Sequence, residues 1–443
     1  MGRLILITAF FILSAGTVVS QPDNSYPDID RRTYQLYLDG SWRELIRTGE
    51  RALDRGIDFF YLRMRIGIAA YELKDYSKSA RHFKKALEFN SADAAAMEYL
   101  YFSYLFLGQD MEARKVAAGF PDSLKDKLSY RRSAVRSVSL FTTGGFLDDQ
   151  RIIDDYSINI NPALDGFQSI TRSFMFFGAS LVHDAGSGLQ LTHSAGYLSK
   201  SHMVYRQEDA SPDLERDARL SQMQYYLSGR ILLGEGIYLV PSIHYLNVRI
   251  PYYTQTAGRG GRVFMMRQHV SLNDVAASLG LEKFSGKIRS GIFAGYSYIN
   301  SQPQMQGSMY LGLLPLGNLN LYSVSTLTWY SDIPLDDGRW VYSQDIGFRI
   351  WSRLWAEIGG SRGDRENFAG PRASVIYNEP AVTSEQYGVT LIMPFFDMGM
   401  ELFVNYNYMV SRSRFIPDND AGTPVNQMNL VSHLVTGGIK WKF

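Results

Sequence analysis

The chain of 443 residues contains no cysteine. Disulfides, thiolate metal sites and a lipid anchor on cysteine are thereby excluded. Net charge is almost absent, with 45 Lys and Arg against 44 Asp and Glu, which leaves no basic footprint for nucleic acid. Beyond the N-terminus there is no long apolar run, so no later segment supplies the roughly 20 residues a membrane-spanning helix needs. Histidine is scarce, and the 7 present (His82, His183, His193, His202, His244, His269 and His433) include no pair at metal-ligand spacing on one element. Gly258-Arg-Gly-Gly261 is glycine-rich but precedes no helix, which makes it a loop rather than a phosphate cradle. No cofactor and no metal are expected.

What is present begins with a secretory signal over residues 1–20. Arg3 gives the positive start, Leu4 to Leu13 the apolar core, and Val18-Val19-Ser20 the small-residue cleavage pattern before Gln21. The other end carries the plainest pattern of the chain. In Val425 to Phe443 the residues Val431, Val435, Ile439, Trp441 and Phe443 share one face, opposed mainly by Ser432, Thr436, Lys440 and Lys442. Period-2 alternation with an apolar outer face suits a strand that meets lipid. This ending resembles the last strand of bacterial outer-membrane barrels. The resemblance implies that Ile439, Trp441 and Phe443 are read by the barrel-assembly machinery.

Residues 27–133 read as helical, with an internal repeat. Gly40-x-Trp42, Lys74-x-Tyr76 and Gly108-x-Asp110 follow one another at a spacing of 34, as do Leu45, Ser79 and Ala113. Ala52-Leu53 and Ala86-Leu87 keep that period, with small residues where helices cross. Over residues 27 to 121 the pattern resembles the tetratricopeptide repeat, although Ser91 replaces the usual proline and Arg63 the usual aromatic. The resemblance implies stacked hairpins with a groove lined by Tyr34, Tyr37, Tyr61, Met64, Ile68, Tyr71, Phe102 and Phe106. That groove reads either as a docking surface for a peptide or partner helix, or as plain core. Lys74, Lys78, Arg81, Lys84 and Lys85 read as a solvated face, with an acidic partner the sharper alternative.

From residue 134 to 443 the period becomes 2. Met223, Tyr225, Leu227 and Ile231 oppose Gln222, Gln224, Ser228 and Arg230. Ile346, Phe348, Ile350, Leu354, Ala356 and Ile358 oppose Asp345, Arg349, Arg353 and Glu357; Leu402, Val404 and Tyr406 oppose Glu401, Asn405 and Asn407. Short turns alternate with long polar loops, the mark of a transmembrane barrel. The count gives about 14 antiparallel strands, with 12 and 16 open. The fold class is therefore α+β multidomain: repeat helices, then an outer-membrane β-barrel. Asp345, Arg349, Arg353, Glu357, Glu401, Lys440 and Lys442 are expected in the lumen, as a selective ring or as pairs that brace the wall.

This order resembles two groups, the surface-lipoprotein assembly modifiers and the exopolysaccharide export porins. Both imply a non-enzymatic outer-membrane factor whose periplasmic repeats recruit a protein or polysaccharide client for export or surface assembly. A passive porin or envelope scaffold is the second reading. A barrel-embedded hydrolase using His183-Asp184 or His193 with Ser180 or Ser194 is the third. Expected partners are outer-membrane lipids, the barrel-assembly machinery and the periplasmic client.

Overall fold

The computed structural model describes residues 25–443 apart from 132, 150, 152–164, 187, 209–210, 258–262, 336, 396–397 and 418–424. The signal-peptide expectation and the Gly258–Gly261 loop lie outside the described residues.

Helices come first: α1 (Tyr26–Leu38), α2 (Trp42–Asp54), α3 (Phe60–Glu72), α4 (Tyr76–Phe89), α5 (Ala94–Phe106), α6 (Asp110–Ala117) and α7 (Asp122–Lys127). Tyr26, Phe60 and Ala94 start the first helix of successive hairpins, and Trp42, Tyr76 and Asp110 the second, so the period read in the sequence is the period of the elements. Local chemistry sets the boundaries. Asp75 and Asp93 cap α4 and α5 by accepting from Lys78 N (3.1 Å) and Ala96 N (2.8 Å), each worth about 1 kcal/mol. The hairpins close because small residues let backbones approach. A Cβ on Gly67 would meet the Phe83 ring at 2.9 Å, and one on Gly49 the Ile66 side chain at 2.6 Å. Leu45, Leu62, Ile66, Phe83 and Ala86 are fully buried between the layers.

The barrel follows. Its strands are β1 (Val135–Leu147), β2 (Gly166–Asp184), β3 (Leu189–Glu208), β4 (Ser211–Gly234), β5 (Ile237–Ala257), β6 (Val263–Ser285), β7 (Ile288–Ile299), β8 (Gln302–Leu313), β9 (Leu321–Asp332), β10 (Arg339–Trp351) and β11 (Leu354–Arg365). After two short strands, β12 (Phe368–Ala369) and β13 (Ile376–Tyr377), come β14 (Val382–Phe395), β15 (Met400–Pro417) and β16 (Val425–Lys442). All but β12 and β13 form a closed 14-stranded barrel in which each strand pairs antiparallel with its neighbours. Closure is made by the terminal strand: β16 pairs β1 from Ser137↔Lys442 to Leu147↔Ser432, and the Thr143 and Thr436 hydroxyls meet at 2.8 Å. Closing removes every sheet edge, the only way a sheet can satisfy its backbone in lipid.

Alternation then sorts the side chains. Met223, Tyr225, Ile346, Ile358, Val404, Tyr406 and Val435 are exposed on the outside, forming the apolar belt of an outer-membrane barrel. Inside, aromatic rings lie across glycines of the next strand. A Cβ on Gly178 would sit 2.3 Å from the Phe141 ring, and one on Gly145 2.1 Å from the Phe174 ring. The rings can thus lie flat on the wall rather than fill the lumen.

Candidate functional site

The lumen is the candidate site, and its contents start with one loop. The connection from β11 to β14 folds into the barrel. Phe368↔Tyr377 and Ala369↔Ile376 close it as a small hairpin. Four consecutive carbonyls at its tip accept from the wall. Gly370 O accepts from Gln306 (3.3 Å), Pro371 O from Ser278 (2.7 Å), Arg372 O from Ser242 (2.7 Å), and Ala373 O from His244 Nδ1 (2.8 Å). The donors stand on β5, β6 and β8, all facing inward.

Charge pins the same loop. Glu282 on β6 is only 1% exposed and pairs with Arg372 of the loop and, at 3.5 Å, with Arg230 of β4. Glu379 takes Lys200 at 2.5 Å, and Glu366 takes Arg339 at 3.2 Å as well as Arg414. Asn378 donates to Gln222 (3.0 Å) and Asp274 (3.3 Å). A carboxylate this buried would cost several kcal/mol without a partner, so breaking one member of these pairs is expensive. Beside the loop a cavity of about 290 Å³ remains, lined by Asp345, Glu357, Thr328, Asn405 and Asn407.

Both ends of the lumen are narrowed as well. At the end with the long loops, β2 and β15 pair directly through Phe167↔Ile416 and Gly166↔Pro417. Gln168 donates to Ser413 there at 2.8 Å, over a cluster of Leu147, Ile170, Met203, Phe415 and Leu430. At the end with the short turns, the helices dock. Ser77 N donates to Gly317 O (3.2 Å), Asn318 donates to Lys74 O (2.8 Å), and Asp75 pairs with Lys287 (2.9 Å). Gly317 has φ +70°, and a Cβ there would collide with Asp75 Oδ1, so this turn needs glycine twice over. Arg114 reaches Asp184 at 3.2 Å, Lys84 pairs with Glu235, and Arg289 donates to Leu107 O. α6 docks as well: Met111 packs on Tyr238, Val240 and Phe293, and the Tyr238 hydroxyl donates to Glu112.

The residues expected in the lumen fall into separate places. Asp345 and Glu357 line the cavity together, with Glu357 accepting from Tyr322 at 2.5 Å. Arg349 is spent on the β10–β11 turn, donating to Trp351 O (2.9 Å) with its guanidinium 4.8 Å from the centre of the Trp355 ring. Arg353 lies in that same turn. Lys442 pairs with Glu401 at 2.7 Å, and Lys440 stands opposite Glu401 in the ladder. No single ring of charge is formed by the seven. Ile439 and Trp441 belong to β16, and Phe443 N donates to Arg136 O at 3.0 Å.

The groove residues divide too. Tyr34 and Tyr61 are exposed and flank Arg65, whose guanidinium lies 5.1 and 5.9 Å from their ring centres. Tyr37 packs edge-on against Trp42 at 5.9 Å. Met64 and Ile68 pack on the core around Phe83. Tyr71 meets Tyr76, Tyr99 and Phe106, and Phe102 stacks on Phe106. Burial, followed by Tyr76 and Tyr99, pushes the Tyr71 phenol up to about 12, so it stays a neutral donor. His82 is buried beside Arg63 (3.3 Å). Burial, then Arg81, Arg63 and Lys78, lowers it to about 3.

The candidate hydrolase residues form a different array. His183 Nε2 lies 3.1 Å from His193 Nε2, and His193 Nδ1 lies 2.7 Å from the Tyr225 hydroxyl. Ser194 donates to Ala179 O at 3.2 Å, not to an imidazole. No group of three or more metal-binding side chains occurs among the described residues. Sequence reasoning missed Glu112, Tyr238, Glu282, Lys200, Arg372 and Glu379. Its one usable signal was Phe368 and Tyr377, two aromatics inside a long polar connection.

No family model and no curated protein matches the chain. Among solved structures, a Pseudomonas aeruginosa FadL homologue covers 70% of this chain and 90% of its own, at 9% identity and TM-score 0.42. The P. putida toluene transporter TodX covers 70% and 91%, at 7% identity and TM-score 0.42. The translocator domain of the autotransporter NalP from Neisseria meningitidis covers 77% and 99%, at 9% identity and TM-score 0.30. At such values the likeness is one of barrel to barrel and carries no argument about what passes through.

Proposed function

We propose that the chain is a non-enzymatic outer-membrane transport barrel whose lumen is gated, and whose periplasmic, tetratricopeptide-like helices recruit a protein or polysaccharide client for export or surface assembly. The observation that carries this reading is the loop 366–381, held inside the lumen by hydrogen bonds to four consecutive carbonyls and by ion pairs at Arg372 and Glu379. A passive porin needs a standing water path, and a loop whose polar groups are satisfied by the inner wall argues against one. The exposed Tyr34 and Tyr61 rings, on either side of an Arg65 that is itself largely covered and paired with Asp30, are the place for a client to dock.

Conductance in planar bilayers tests the gate. The intact chain should stay near the baseline, and replacing residues 368–377 with a short Gly-Ser linker should produce steady ion flow. Steady flow through the intact chain would return the porin reading. Recruitment is tested in the same preparation. A protein or polysaccharide co-purified with the intact chain should be lost from the Tyr34→Asp, Tyr61→Asp double variant; its retention removes the docking role.

A further inference from the structure

We propose that the helical domain holds the lumen loop shut through a chain of charged contacts, so that lifting α6 out of the barrel mouth unlocks Arg372. The proposal rests on the gated reading above and names its regulation.

Five side chains make the chain of contacts. Glu112 of α6 accepts from the Tyr238 hydroxyl. The Tyr238 ring carries the Arg230 guanidinium 3.8 Å from its centre. Arg230 reaches one oxygen of Glu282 at 3.5 Å, and Arg372 of the loop takes the other. Arg289 stands in the same cluster, donating to Leu107 O of the helical domain, with its guanidinium 4.8 Å from the Phe284 ring centre.

Counting charges shows why the domain matters. Docked, the cluster sets three guanidinium groups against two carboxylates, and one carboxylate is Glu112. Undocked, three guanidinium groups face Glu282 alone. Two of them, Arg230 and Arg289, are fixed on barrel strands; only Arg372 sits on a loop. Repulsion among the guanidinium groups, reduced but not abolished as water enters the mouth, therefore acts on the one cation carried by a loop. The contact is also poised to break. Glu112 Oε2 and Arg230 Nε are buried without a protein partner, and solvent recovers both when the domain lifts. Docking of α6 and release of the loop are thereby linked through one shared cluster.

The test is time-averaged conductance of the full chain in planar bilayers, with heat-modifiable gel mobility reporting insertion of each variant. Glu112→Gln keeps the shape and an acceptor while removing the charge, and should raise conductance about tenfold. Tyr238→Phe keeps the ring under Arg230 and should give a smaller rise, which serves if Glu112→Gln fails to insert. Arg372→Gln should open the barrel directly, and adding Glu112→Gln to it should change nothing further. If Arg372→Gln conducts while Glu112→Gln and Tyr238→Phe match the parent, the loop is latched locally and the relay is wrong. If only the 368–377 replacement conducts, Arg372 is not the latch. If even that replacement stays silent, the gated reading itself has failed.

Discussion

The two halves of this molecule are built inside out relative to each other. Among the helices, most of the fully buried positions are apolar, such as Leu45, Leu62, Ile66 and Phe83, with Thr33, Ser79, His82 and Ser103 the polar exceptions. In the barrel, many of the buried positions are polar or charged: Gln168, Lys200, His244, Asp274 and Glu282. Many of its large apolar residues, such as Ile292, Met309 and Val404, are exposed, although a few, such as Ile170 and Met203, are buried inside. One rule governs both. Apolar surface leaves water, toward a packed core in the first half and toward lipid in the second. The difference teaches that burial alone does not identify a core; the surrounding solvent does.

A substitution that removes volume should therefore hurt the first half most. Phe83→Ala deletes a ring stacked on Tyr99 at 4.9 Å and seated against Gly67. It should destabilise the helical domain by about 4 kcal/mol, read as lost hydrogen-exchange protection in α3 and α4 while the barrel keeps its heat-modifiable mobility. In the second half, sidedness should outweigh volume. Val389→Arg, on the lipid face of β14, should cost about 2–4 kcal/mol of folding free energy in vesicles. Its neighbour Thr390→Arg, which faces the lumen cavity, should cost far less. Equal losses at the two positions would erase the contrast between the faces.

The smallest effect concerns protons. His82 is held neutral in the folded helices, with its value depressed from 6.5 to about 3. Below 6.5 the unfolded chain takes up a proton that the folded chain refuses, so this stability is full above 6.5 and is lost as pH falls toward 3. Between pH 7 and pH 5 the helical domain should lose about 2 kcal/mol. Exchange rates in α4 at the two pH values measure it, and His82→Gln should flatten the dependence.

How much of this was legible follows from range. The 34-residue repeat was visible because each hairpin repeats its own local pattern, at Trp42, Tyr76 and Asp110. The 14 strands were visible because alternation is also local, and the outward set Met223, Ile346, Val404 and Val435 could be read directly. The last strand announced itself for the same reason. What lay hidden depends on contacts far apart in the chain. Nothing near Arg372 indicates Glu282, and nothing near Glu112 indicates Tyr238, because each pairing is settled by how closed strands and docked helices meet. The loop 366–381 read as one more polar connection, since its strands are two residues each and its partners are donors on β5, β6 and β8. The seven expected lumen charges were scattered for a related reason: alternation gives the face of a residue but not its depth, and depth separates Asp345 from Arg349.

The lumen loop is anchored at both ends in the wall, by β11 and by β14. Once released it cannot diffuse away. Its tip stays at an effective concentration of about millimolar around its own docking groups, and closing a loop of this size takes on the order of 10–100 ns. Recapture is then fast compared with the passage of a bulky client. Such a barrel should flicker and not stay ajar. If the barrel works as proposed, a client must hold the pore open by its own presence, and the outer membrane leaks only while something is in transit.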